Sequence, residues 1–215
     1  MLASGSGTNL QAMLGAEAKG ILGANIRLVV SDKPHAPALD RARLAKAAAV
    51  FVDPAGKDRE QHDRAVMKVL AAHDVGLVCL AGYMRVLSPV FVHAYPGRLV
   101  NVHPALLPAF PGLRAQQQAL DAGVRVAGCT THFVEDAVDR GPSILQATVP
   151  VLDGDTADRL AARIQTQEHR IFPLTIRLFA EGRLRLEGRR VKIDPPVGKD
   201  ELTRFGLDPR SVVPA

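Results

Sequence analysis

The chain has 215 residues but no tryptophan, two tyrosines and two cysteines, and its aromatic content is only 4%. Two cysteines cannot make a disulfide framework. Cys79 sits in an apolar run and Cys129 in a predicted strand, so both read as reduced core residues. There is no zinc-type cysteine spacing and no arginine run with interleaved aromatics, which argues against a nucleic-acid partner. No apolar run approaches the roughly 18 residues needed to span a bilayer. The opening MLASGSG lacks the basic segment and apolar stretch of a secretory signal. These absences lead to the expectation of a cytoplasmic protein with no membrane partner. Against them stand an apolar content of 47%, enough for one sizeable core, and a net charge of +5, which suits an anionic ligand.

Short apolar runs at 26–30, 49–52, 75–80 and 99–102 alternate with helical spacings such as Leu10, Met13, Leu14, Ala18 and Val66, Val69, Leu70. Strands alternating with helices predict an α/β fold: three layers, α/β/α, around a mostly parallel, Rossmann-like central sheet. After residue 112 the pattern changes. Segments 126–134 and 143–151 read as strands joined by a loop, 155–180 as a long helix containing Pro173, and 183–193 as a hairpin turning near Gly188. These C-terminal strands are expected to be antiparallel. The expected organisation is a single domain over 1–195 and a loosely held tail over 196–215. The glycine-rich turn SGSGTN at 4–9 normally follows a central strand, yet only Met1, Leu2 and Ala3 precede it. The natural chain is therefore expected to begin several residues earlier.

The run 99–104, LVNVHP, alternates. Successive strand residues face opposite ways, so Asn101 and His103 share one face while Val100 and Val102 bury on the other. Pro104 has no N–H to donate, so the strand should stop there and leave both polar groups at its C-terminal end. Ligands of open α/β sheets bind at that edge. With the carboxylate of Asp139 nearby, an amide and an imidazole suffice for acyl transfer: they can hold an oxyanion, move a proton and tune the proton carrier.

Other candidates stand beside their plainer readings. The turn at 4–9 offers backbone N–H groups and a helix N-terminus to a phosphate, or is simply a strand–helix turn. No Gly-Lys-Ser/Thr follows it, and Leu10 occupies the third position of a dinucleotide fingerprint. Glu168 shares a helical stripe with Leu160, Ile164 and Ile171. It either faces inward and needs a partner, such as a ligand hydroxyl, or sits at the stripe's margin. The stretch 81–89, AGYMRVLSP, makes either an apolar slot for a heteroaromatic ring or an ordinary βα loop. His103, His132 and Asp139 match no zinc signature, and strand-borne polar groups more often make hydrogen bonds, so no metal is expected.

Taken in order, the stretches 4–12, 81–89, 101–112 (NVHPALLPAFPG), 131–134 (THFV), 139–142 (DRGP) and 165–169 (QTQEH) resemble the phosphoribosylglycinamide formyltransferases, folate-dependent enzymes of purine synthesis. The resemblance covers nearly the whole chain. It implies transfer of the formyl group of 10-formyltetrahydrofolate, a co-substrate, to the glycyl amine of glycinamide ribonucleotide, with no metal. Asn101, His103 and Asp139 match the family's catalytic trio. Gly7, Thr8 and Asn9 match its phosphate loop, and Glu168 its ribose-binding acid. Met84, Arg85, Val86 and Leu87, with Asn101 and the loop Glu135, Asp136, Ala137, Val138 and Asp139, match the wall around the pterin ring. Arg59 falls where the family has a basic residue near the folate tail. Arg140 replaces a residue that is small in many relatives and is expected to face solvent. The implied partners are the two small molecules, with the chain a monomer or homodimer. Formyltetrahydrofolate hydrolases, which the same trio resembles, carry an extra N-terminal domain, and methionyl-tRNA formyltransferases a C-terminal RNA-binding domain. Neither domain is expected here. A binding module without turnover remains the alternative from another class.

Overall fold

A computed structural model describes residues 1–214. The elements follow in the order α1 (Thr8–Ala18), β1 (Leu28–Ser31), α2 (Pro37–Leu44), β2 (Ala48–Phe51), α3 (Arg59–Ala71), β3 (Val78–Leu80), α4 (Pro89–Ala94), β4 (Leu99–His103) and α5 (Ala115–Asp121). Then come β5 (Val126–Phe133), β6 (Ser143–Pro150), α6 (Ala157–Ala180), β7 (Leu184–Glu187), β8 (Arg190–Ile193), α7 (Lys199–Arg204) and β9 (Val212–Pro214). Local chemistry explains the helix starts. Asp58 and Gln61 form a reciprocal capping box before α3, and the Thr156 hydroxyl accepts the Arg159 N–H before α6. Gly7 precedes α1 with φ 70°, and a Cβ there would approach Ala38 to 2.8 Å, so the turn requires glycine. The 24-residue α6 runs through Pro173 as one helix.

β1 pairs in parallel with β2, and β3 in parallel with β4; β4–β5, β5–β6 and β6–β9 are antiparallel. Met1, Leu2 and Ala3 fill the position between β1 and β3. Leu2 N–H donates to Cys79 O at 2.8 Å, Val30 N–H to Met1 O at 2.8 Å and Ala3 N–H to Val30 O at 3.1 Å. Leu2 thereby bridges Val30 and Leu80 in parallel and joins the two halves of the sheet. The three residues alternate as a strand would: Leu2 packs with Leu28, Val30 and Val78, whereas Met1 and Ala3 pack with Val29 and Cys79. Two core clusters result, one on each face. α1, α2 and α6 cover the Val29–Cys79–Val100 face, and α3 and α4 the Leu28–Val78–Leu99 face. This is the expected three-layer α/β architecture, parallel in its first half and antiparallel in its second. Cys79 and Cys129 are free and buried. No helix among the described residues is long and apolar enough to cross a membrane.

The segment after 195 corrects the expectation of a loosely held tail. It forms α7 and then β9, which pairs along β6 at Leu145–Ala147. Leu202, Phe205, Leu207 and Val212 are buried in the main core. Strand pairing and these apolar side chains together hold the segment, despite its prolines and charges. Phe205→Ala should therefore destabilise the chain by roughly 3 kcal/mol in urea unfolding. A midpoint equal to that of the unsubstituted chain would show that this segment does not belong to the cooperative fold.

Candidate active site

β4 brings its polar residues to the face that carries Leu99, opposite Val100 and Val102, as the alternation requires. The antiparallel neighbour β5 sets His132 directly across from Asn101 and Thr130 across from His103. The pairing of β5 with β6 shifts between Thr131 and His132, an irregularity of the kind that re-aims a side chain. His132 Nδ1–H donates to Phe133 O at 2.8 Å. That leaves Nε2 to accept from the Asn101 amide nitrogen at 3.2 Å. Burial pushes the His132 imidazole below its ordinary range. The Phe133 carbonyl and Asp139 oppose this shift and His103 adds to it. A neutral ring suits the acceptor role.

Asp139 lies in the β5–β6 loop with φ 52°, a left-handed conformation that aspartate tolerates better than most residues. Gly112 N–H donates to its Oδ2 at 2.9 Å, and the same oxygen stands 3.3 Å from His103 Nδ1. Its Oδ1 is 3.6 Å from His132 Nε2. Gly141 lets the loop fold back on β5, because a Cβ at that position would overlap the Phe133 carbonyl oxygen. His103 Nε2–H donates to Phe110 O at 2.9 Å. Nε2 of His103 is thus engaged by a backbone carbonyl, while Nδ1 faces the Asp139 carboxylate. An oriented amide donor, an imidazole able to deliver a proton and a carboxylate able to take one are the elements of acyl-transfer chemistry.

These groups open into a cleft of about 720 Å³. The glycine turn and the start of α1 line it. Asn9 Nδ2 donates to Glu168 Oε2 at 2.9 Å, and Gln165 Nε2 donates to Thr8 Oγ1 at 3.1 Å. Glu168 is therefore on the inward side of its helix, 8% exposed. Burial pushes its carboxyl above the ordinary range, with the Asn9 bond opposing. Asn9 Oδ1 is buried and has no partner. Met84 to Leu87 and the loop carrying Asp139 line the cleft as well.

Every residue singled out from the sequence as a site candidate lines this cleft except Arg59 and Ala137. Arg59 stands on the exposed first turn of α3, and Ala137 at the exposed tip of its loop. Arg140 is exposed, and its carbonyl accepts from Arg189 at 2.8 Å. From the sequence alone, His132 has no place beside Asn101 and Gly112 no contact with Asp139; both depend on strand register and loop closure. Among the described residues no three His, Cys, Asp or Glu side chains are arranged to hold a metal ion.

Residues 1–176 match the formyl transferase family. Over 203 residues the chain is 45% identical to the phosphoribosylglycinamide formyltransferase of Escherichia coli (strain K12), spanning 92% of this chain and 96% of that protein. The crystal structure of glycinamide ribonucleotide transformylase 1 from Symbiobacterium toebii superposes with a TM-score of 0.88 at 55% identity, covering 89% of this chain and 91% of that one. A formyltetrahydrofolate deformylase from Pseudomonas syringae pv. tomato is more distant, at 26% identity and a TM-score of 0.83, with 89% of this chain and 64% of that one covered.

The raised Glu168 carboxyl gives stability a definite pH dependence. The folded state retains a proton that the unfolded chain has released, so this group's contribution is full below its ordinary value of 4.5 and is lost as pH rises through the raised one. Glu168→Gln, which cannot ionise, should gain thermal stability relative to the unsubstituted chain between about pH 4 and about pH 8. Parallel melting curves at the two pH values would contradict this.

Proposed function

The chain belongs to the formyl transferase family, and on that premise we propose that it transfers the formyl group of 10-formyltetrahydrofolate to the glycyl amine of glycinamide ribonucleotide, a step of de novo purine biosynthesis. The observation that carries the reading is the convergence of Asn101, His103 and Asp139 on one cleft that the glycine turn and the Met84–Leu87 loop also line. The 45% identity to the Escherichia coli formyltransferase over 92% of this chain supports the ribonucleotide as acceptor.

In this reading the neutral amine attacks the formyl carbon, and an oxyanion develops on the formyl oxygen. The Asn101 amide, held from behind by His132 Nε2, donates to that oxyanion. Of the two contacts of His103, the one to Asp139 is the longer, at 3.3 Å against 2.9 Å to Phe110 O, so the Nδ1 proton is the more readily redirected. Asp139 takes the proton that the amine loses, directly or through water. His103 then protonates the departing folate nitrogen as the carbon–nitrogen bond breaks. The products are a formamide on the ribonucleotide and tetrahydrofolate. No covalent intermediate on the enzyme is required.

Gly7, Thr8 and Asn9 at the start of α1 offer backbone N–H groups to the ribonucleotide phosphate. Glu168, already engaged by Asn9, accepts from the ribose hydroxyls. The pterin ring lies against Met84 to Leu87 and the 135–139 loop. The proposed partners are these two small molecules, with the chain a monomer or a homodimer. The substrates support a cytoplasmic location.

Release of tetrahydrofolate, followed by absorbance, should require glycinamide ribonucleotide. It should fall about 100- to 1000-fold in Asn101→Ala, and at least as far in His103→Ala. Equal release without the ribonucleotide would favour the hydrolase reading. Binding of both ligands with no turnover would favour a binding module.

A further inference from the structure

The loop proposed to face the pterin belongs to no regular element, yet it displays Met84 at 63% and Val86 at 49% exposure. Nothing in its own backbone holds those side chains in place. It is fixed from outside at both ends. At its start, Met84 N–H donates to Ser4 Oγ at 2.9 Å, and that hydroxyl donates to the buried Asp32 Oδ1 at 2.5 Å. Ser4 N–H also donates to Gly82 O at 3.1 Å. At its end, Ser88 N–H donates to Asp63 Oδ2 at 2.6 Å.

Asp63 is fully buried on α3, and its second oxygen has no hydrogen-bond partner. The nearest cationic candidate, His62 Nδ1, is 3.9 Å away. A buried carboxyl with half its capacity unused is costly, and an apolar residue would fill the same space without that cost. Its one bond goes to the backbone that ends the loop.

We propose that Ser4 and Asp63 are positioning residues, a two-point clamp that pre-forms the Met84–Leu87 wall for the ring of the folate co-substrate. The inference rests on the formyl-transfer reading for the identity of that ring. A wall held open in advance spares the ligand the cost of ordering it. Neither residue touches the reacting atoms, so the clamp acts on folate binding far more than on the chemical step.

The test uses the full chain as Ser4→Ala, Asp63→Ala and Asp63→Asn, the last retaining an acceptor oxygen of the same size. Four quantities are measured: KM for each substrate, kcat, tetrahydrofolate binding by calorimetry, and hydrogen exchange of amides 82–88. Ser4→Ala and Asp63→Ala should raise the folate KM and Kd about tenfold, with kcat within about threefold, and should speed exchange at 82–88. Asp63→Asn should restore most of the affinity. Unchanged folate affinity and exchange in both alanine variants would overturn the proposal, as would equal losses for both substrates and kcat, the mark of general damage. If Asp63→Ala does not fold, the partly exposed Ser4→Ala decides. If the unsubstituted chain neither turns over nor binds folate, the formyl-transfer reading falls, and exchange at 82–88 still decides whether the clamp exists.

Discussion

The structure depends above all on the position of β4 at the seam between two kinds of sheet. It pairs in parallel with β3 and antiparallel with β5. The parallel side brings the loop after β3, with Met84 to Leu87, to the same edge as the end of β4. The antiparallel side places His132 across from Asn101 and sends the chain into the loop that returns with Asp139. A wholly parallel sheet would put a helix where that loop now folds. Alternation along five residues then decides which side chains face the cleft, and Pro104 follows the last of them. Shifting the register by one residue would bury Asn101 and His103 in the α6 core and turn Val100 and Val102 to the cleft.

Burial supplies the electrostatics. His103, His132 and Glu168 are nearly inaccessible to water, so each hydrogen bond among them and their neighbours is stronger than on the surface, and each unpaired polar atom is costlier. The molecule meets that constraint with backbone as often as with side chains: Phe110 O and Phe133 O orient the two histidines, Gly112 N–H orients Asp139, and Ser88 N–H engages Asp63. Left-handed Asp139 and the glycine at 141 are the local consequences of aiming a carboxylate back into the sheet. The loops beside the cleft are irregular, but groups on α3, just after β1 and on β4 engage them.

Much of this was legible in the sequence because it is local. The alternation at 99–103, the glycine before α1 and the stripe through Leu160, Ile164, Glu168 and Ile171 each depend on residues close together in the chain. What was not legible depends on register or closure. His132 meets Asn101 only because β5 pairs with β4 in one particular register, beside a shift against β6 that no composition reveals. Gly112 reaches Asp139 across 27 residues through the fold of two loops. The C-terminal segment misled for a different reason: prolines and charges mask Leu202, Phe205, Leu207 and Val212, whose burial depends on a strand edge of β6 far away in sequence. Arg59 stands on the exposed first turn of α3, outside the cleft lining.

The most direct test follows the formyl carbon itself. With 10-formyltetrahydrofolate labelled with carbon-13 at the formyl group, and glycinamide ribonucleotide as acceptor, nuclear magnetic resonance reports where the label goes. The account predicts a formamide signal on the ribonucleotide in step with tetrahydrofolate release. Label appearing as free formate at the same rate whether or not the ribonucleotide is present would contradict it.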